Sequence, residues 1–134
     1  RVQGAMQPKP RLKPRKYLNQ PQYFDRIVFA SKAELARYKV LRAREKIGEL
    51  RDLVPHPAYP LEVDGVVVGT YRADFRYITL RHIRDAAGQM IVQAGMEVCE
   101  DVKSPATAAK ETFRRTAKHV KAQYGIDVQI VMAK

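Results

Sequence analysis

The chain has 134 residues, 25 Lys and Arg against 14 acids, and a formal net charge of +11. That length fits one domain, and a lone cysteine excludes an internal disulfide framework and fits a reducing cytoplasm. No apolar run has the length of a membrane span, and no secretory signal is expected; the expected partner of the basic excess is a polyanion, nucleic acid before an anionic membrane surface.

In chain order, residues 1–16 are basic, rich in proline and free of acids. Such a segment cannot bury a core and is expected to be a flexible arm ahead of a domain spanning 17–134. Lys13, Arg15 and Lys16 in it are candidate phosphate contacts; a tail without a role is the other reading. The clearest helix runs from Ser31 to Ile47. Ser31 and Glu34 form a capping-box pattern, and Gly48 is a natural stop. Ala33, Ala36, Val40, Ala43 and Ile47 recur at helical spacing and are the expected buried stripe.

From Glu49 to Val63 the pattern is strand-like but broken by Pro55, Pro57 and Pro60, which predicts an edge or irregular strand. Asp64-Gly65 predicts a hairpin turn between Tyr59–Val63 and a strand starting at Val66 and running on to about Ile78. Ile78–Arg84 and Gln89–Gln93 read as arms of a second hairpin; a short helix over Arg81–Ala87 is the competing reading. Met96–Lys103 is the next core strand. Ser104-Pro105 opens a second helix, ending near Tyr124 before Gly125. Phe113, Ala117, Val120 and Tyr124 form its apolar stripe. Lys110, Arg114, Lys118 and Lys121 form a basic one, a candidate DNA-binding face or simply a solvated one. Ile126–Met132 is the last strand.

Chemistry concentrates in two stretches. Side chains alternate along a strand, so Asp101 and Lys103 share a face while Glu100 points the other way with Val98 and Val102. Tyr71-Arg72-Ala73-Asp74-Phe75 carries a further acid among apolar neighbours. Two acids and a lysine on adjacent strands make a candidate site for a hard cation, with a positive group for a reacting phosphate. Glu100 is expected to be structural or to pair with a basic residue. His56, His82 and His119 show no ligand spacing with Cys99, so neither zinc nor a His/Cys triad is expected.

Several motifs in this order resemble the PD-(D/E)XK nuclease superfamily, and within it the phage-encoded Holliday-junction resolvases and related phage endonucleases. Lys16-Tyr17 with Asn19 resembles K-Y-x-N. Phe29-Ala30-Ser31-Lys32-Ala33-Glu34 with Arg37-Tyr38 resembles F-D-S-K-x-E-x-x-R-Y. Tyr71–Tyr77 resembles Y-x-A-D-F-x-Y, and Glu100–Lys103 resembles E-D-V-K. Tyr124-Gly125-Ile126 resembles the end of the family's last helix. Ala30 replaces the family's frequent Asp, Ser104 stands where Gly usually follows the lysine, and residues 79–95 form a longer connection than usual.

The resemblance implies an α/β restriction-endonuclease-like core of order α-β-β-β-α-β, with a mixed sheet flanked by helices. It implies a crossover-junction endodeoxyribonuclease, a hydrolase of DNA recombination, working as a homodimer in the host cytoplasm; cutting of flaps, branched intermediates or duplex is the alternative, and a non-catalytic DNA-binding module a third. Glu34, Asp74, Asp101 and Lys103 would be catalytic. Mg²⁺, with Mn²⁺ as a substitute, would bind Asp74, Asp101 and the Val102 carbonyl. Glu34 would serve a second ion or its waters. Lys103 would orient or deprotonate the attacking water, or neutralise the scissile phosphate.

Overall fold

A computed structural model describes residues 20–133. The basic arm at 1–16, its Lys13, Arg15 and Lys16, and the Lys16-Tyr17 and Asn19 motif lie outside the described residues.

The described chain opens with a hairpin of β1 (Gln22–Phe24) and β2 (Ile27–Phe29). Its turn residues Asp25 and Arg26 have φ of 56° and 62°, as a two-residue hairpin turn of matching twist requires. Ser31 then caps α1 (Lys32–Lys46), its hydroxyl accepting from the Glu34 N–H at 3.2 Å. The expected apolar stripe is not the buried face of α1. Val40 and Ile47 are exposed, and Tyr38 and Leu41 are buried, with Leu35 packed beside them. Alanines carry little area, so the larger aromatic and leucine side chains decide which arc meets the sheet.

The strands that follow divide among three sheets. A four-stranded mixed sheet has the spatial order β10 (Val128–Met132), β9 (Glu97–Lys103), β6 (Phe75–Thr79), β3 (Leu50–Pro55). β3, β6 and β9 pair antiparallel in turn, and β10 joins β9 in parallel after a helical crossover. β3 is an edge strand with Pro55 at its end, where proline is tolerated. Within this sheet and its helices the chain runs α1, β3, β6, β9, α2–α3, β10.

Two hairpins are inserted into that order. β4 (Ala58–Val63) and β5 (Val66–Arg72) turn at Asp64-Gly65, with φ of 50° and 80°. The strand expected to run from Val66 to Ile78 is therefore two strands in different sheets. It breaks at Ala73-Asp74, where the Ala73 N–H bonds the Pro57 carbonyl and the Asp74 N–H bonds the Glu100 carbonyl. These bonds pull the backbone from one ladder into another. β7 (Ile83–Arg84) and β8 (Met90–Val92) form the second hairpin, shorter than expected because β6 ends at Thr79; no helix forms over Arg81–Ala87.

The helix expected from Ser104 to Tyr124 is interrupted. Ser104 caps the single-turn α2 (Pro105–Ala108), Lys110 adopts extended backbone, and α3 spans Glu111–Tyr124. Gly125, at φ 73°, closes α3 in the left-handed conformation that glycine favours. The core lies on both faces of the central sheet. Phe29, Tyr38, Leu41, Leu50, Phe75, Tyr77 and Val98 form the layer under α1. Tyr59, Tyr71, Ala73, Cys99 and Val120 form the layer on the α3 side, with Phe113 packed against it. Tyr124, the last residue of the expected α3 stripe, is partly exposed and donates its hydroxyl to the Pro60 carbonyl at 2.6 Å. Among the described residues no helix is long and apolar enough to cross a membrane.

Candidate active site

β6 and β9 are antiparallel neighbours, so the start of β6 and the end of β9 meet at one edge of the sheet. Asp74 immediately precedes β6. Asp101 and Lys103 lie at the end of β9. The Val102 N–H donates to Asp74 Oδ2 at 2.6 Å, clamping the Asp74 carboxyl against the partner strand. Asp101 is 2 % exposed, and its Oδ2 accepts the Tyr71 hydroxyl at 2.5 Å. Lys103 Nζ stands 3.4 Å from the same Oδ2 and lies over the Phe113 ring at 4.9 Å. The ring holds the ammonium by a cation–π contact while leaving it pointed at the carboxylate.

Asp74 and Asp101 are neighbours at this edge of the sheet. Burial, followed by the Asp101 carboxyl hydrogen-bonded to it and the nearby charge of Glu34, pushes the Asp74 carboxyl up to about 8. The Val102 N–H pulls the other way without prevailing. Burial also raises the Tyr71 hydroxyl, reinforced by its bond to Asp101, so Tyr71 remains a donor. Neither Arg72 nor Arg76 forms an ion pair with Asp74 among the described residues.

Glu34 enters from the first turn of α1. Its Oε1 accepts from the Ala30 N–H at 3.4 Å rather than from the Ser31 N–H, so only the Ser31 half of the expected capping box forms. The Glu34 carboxylate therefore still bonds the backbone at its own helix end, one residue before the cap. Glu34 and Lys103 both line a cavity of about 570 Å³ with Ser31, Val102, Ser104 and Thr107. Glu100 occupies the opposite face of β9. It receives two parallel bonds from Arg37, Nε at 2.8 Å and Nη2 at 2.7 Å, and the Tyr77 hydroxyl at 2.5 Å.

Two further participants had weak sequence signals. Tyr71 stands in the sequence only as the first residue of the Y-x-A-D-F motif, with nothing to mark its hydroxyl as a partner of Asp101. His56, between two prolines, falls in the stretch read as an edge or irregular strand; its Nε2 lies 3.8 Å from Glu34 Oε1.

The basic stripe Lys110, Arg114, Lys118 and Lys121 is exposed along α3 and the turn before it. Lys121 is paired with Asp127 at 2.9 Å, whereas Arg114 and Lys118 form no ion pair among the described residues. The stripe is thus a partly free positive face rather than a uniformly free one.

Among the described residues no three His, Cys, Asp or Glu side chains converge tightly enough to enclose a metal ion. The donor set is instead two adjoining carboxylates, Asp74 and Asp101, with burial holding the Asp74 carboxyl well above the ordinary carboxylate range. That suits Mg²⁺, which keeps several waters and is held through one or two carboxylates plus substrate phosphate. The Val102 carbonyl adjoins the same edge, although the contact the geometry displays is from its N–H. No known family's sequence model matches the chain. No curated protein matches it. No solved structure matches it either.

Proposed function

We propose that this protein is a Mg²⁺-dependent endonuclease that hydrolyses DNA phosphodiester bonds, with four-way junctions as its preferred substrate and paired incision by a homodimer. The observation that carries the hydrolytic reading is the Asp74–Asp101 carboxyl pair, with the Lys103 ammonium 3.4 Å from Asp101. The α-β-β-β-α-β order within the central sheet and its helices supports a PD-(D/E)XK-type core. The preference for branched DNA and the dimer rest on the motif resemblance.

A bound cation would supply Lewis-acid polarisation of the phosphate and a more acidic water. Asp74 and Asp101 would hold it as a deprotonated pair, Asp74 giving up the proton that burial otherwise keeps on it. Tyr71 fixes Asp101 in orientation by donating to Oδ2. Lys103 sets its positive charge beside the carboxylate and towards the cavity, where it would meet a non-bridging phosphate oxygen or steer the attacking water. Glu34, which lines the same cavity, would offer an acceptor to that water. Attack in line with the P–O3′ bond forms a new P–O bond and releases a 3′ hydroxyl and a 5′ phosphate. Arg114 and Lys118 would hold backbone phosphates by charge and give no base readout.

The test is incision of a synthetic four-way junction, a flap and a linear duplex, with Mg²⁺ or EDTA. Paired symmetric nicks on the junction support the full proposal. Equal cutting of linear duplex replaces the junction preference with general nuclease activity. Binding without cutting leaves a DNA-binding module, which retention of Glu34, Asp74, Asp101 and Lys103 together argues against.

A further inference from the structure

His56 holds an unfavourable backbone conformation at the rim of the carboxylate site. Its φ is 52°, in the left-handed region that Gly and Asn occupy at lower cost. Prolines on both sides restrict it further. A costly conformation persists where surrounding contacts fix it, and here the polar contacts lead to the site. The His56 N–H donates to the Asp74 carbonyl at 2.8 Å, and the next carbonyl, of Pro57, accepts from Ala73 at 3.2 Å. The segment thus grips the chain at the step where Asp74 changes sheet. The imidazole stands near the Phe29 ring, centroids 5.8 Å apart, and brings Nε2 to 3.8 Å from Glu34 Oε1.

One residue therefore reaches two parts of the site, Asp74 through its main chain and Glu34 through its side chain. We infer that His56 is a positioning residue, which holds the Glu34 carboxylate in register with the Asp74–Asp101 pair and so sets how tightly the site takes a divalent cation. The inference rests on reading the carboxylates as a cation site. Left-handed backbone alone is satisfied by Gly. Beyond packing beside Phe29, what the side chain adds here is its approach to Glu34. Removing the ring while keeping the N–H separates the two roles.

The experiment is calorimetric titration of Mn²⁺ into the wild type, His56→Gly, His56→Gln and Asp74→Asn, with a thermal melt of each and the Mg²⁺ concentration for half-maximal DNA cutting. Partners that orient metal ligands typically contribute about 10- to 100-fold in affinity. His56→Gly is expected to weaken Mn²⁺ binding about 10-fold and to raise the Mg²⁺ requirement similarly, with its melting temperature held or increased. His56→Gln, which restores a side-chain N–H donor, is expected to recover part of the loss. If His56→Gly binds Mn²⁺ like the wild type while Asp74→Asn does not, the inference falls and the cation site stands. If the wild type and Asp74→Asn bind Mn²⁺ alike, the cation site falls and takes the inference with it.

Discussion

Glu100 and Asp101 are neighbours in the chain and both 2 % exposed, yet they live in opposite electrostatic settings. Glu100 faces α1 and is saturated by the forked Arg37 guanidinium and the Tyr77 hydroxyl. One negative charge meets one positive charge there, with good geometry. Asp101 faces the other way and meets the Tyr71 hydroxyl, a lysine 3.4 Å away and a second carboxyl, Asp74. Glu34 adds a further negative charge nearby. A chain of net charge +11 has cations to spare, yet it leaves this edge acidic. Buried carboxylates that are fully paired are architecture; a buried surplus is neutralised by a proton or by a positive partner from outside.

The largest expected difference between the two faces is in catalysis. Asp74→Asn or Asp101→Asn should cut Mg²⁺-dependent cleavage by about 100-fold or more while the protein stays folded, read as single-turnover rates beside circular dichroism. Arg37→Ala should do the reverse. It strands the Glu100 carboxylate and should destabilise the fold by about 3 kcal/mol in urea unfolding, with the folded fraction still able to cut. Unimpaired stability in Arg37→Ala would remove the contrast.

A smaller effect separates the faces by pH. Asp74 ionises far more reluctantly folded than unfolded, so the native state holds its proton more tightly. Its contribution is full below about pH 4 and is lost as pH rises towards about 8, the opposite of a salt-bridged carboxylate. Metal-free thermal melts across that range should therefore show a downward component that Asp74→Asn lacks. A slope unchanged in the variant would mean that the proton does not reside on this pair.

The strand carrying both acids was legible because its period is two; alternation alone assigns Glu100 and Asp101 to opposite faces. The Asp64-Gly65 turn was legible from its residue types, and so was the Ser31 cap. The break at Ala73-Asp74 was not, because Val66–Ile78 is strand-like throughout and only bonds to Pro57 and Glu100, distant in sequence, divide it. The inner arc of α1 was misassigned because alanine spacing says little about burial. His56 could not be assigned to the site because its link to Glu34 spans 22 residues and depends on how the strand after α1 ends.

The smallest expected effects lie on α3. Lys118→Ala and Arg114→Ala should each weaken DNA binding regardless of sequence and lower the salt slope by about 1. Lys121→Ala should do less, since Asp127 already neutralises it. Equal effects at all three positions would mean that the Lys121–Asp127 pair opens on DNA.

The central claim is that the proposed divalent cation would be the positive partner of Asp74, which forms no ion pair among the described residues, whereas Asp101 already has Lys103. The most direct measurement is the melting temperature at pH 8 with and without Mg²⁺, for the wild type and Asp74→Asn. Mg²⁺ should raise the wild-type value, because ligand bound to the native state stabilises it, and should leave Asp74→Asn where it was. An equal shift in both, or no shift in the wild type, would contradict the claim.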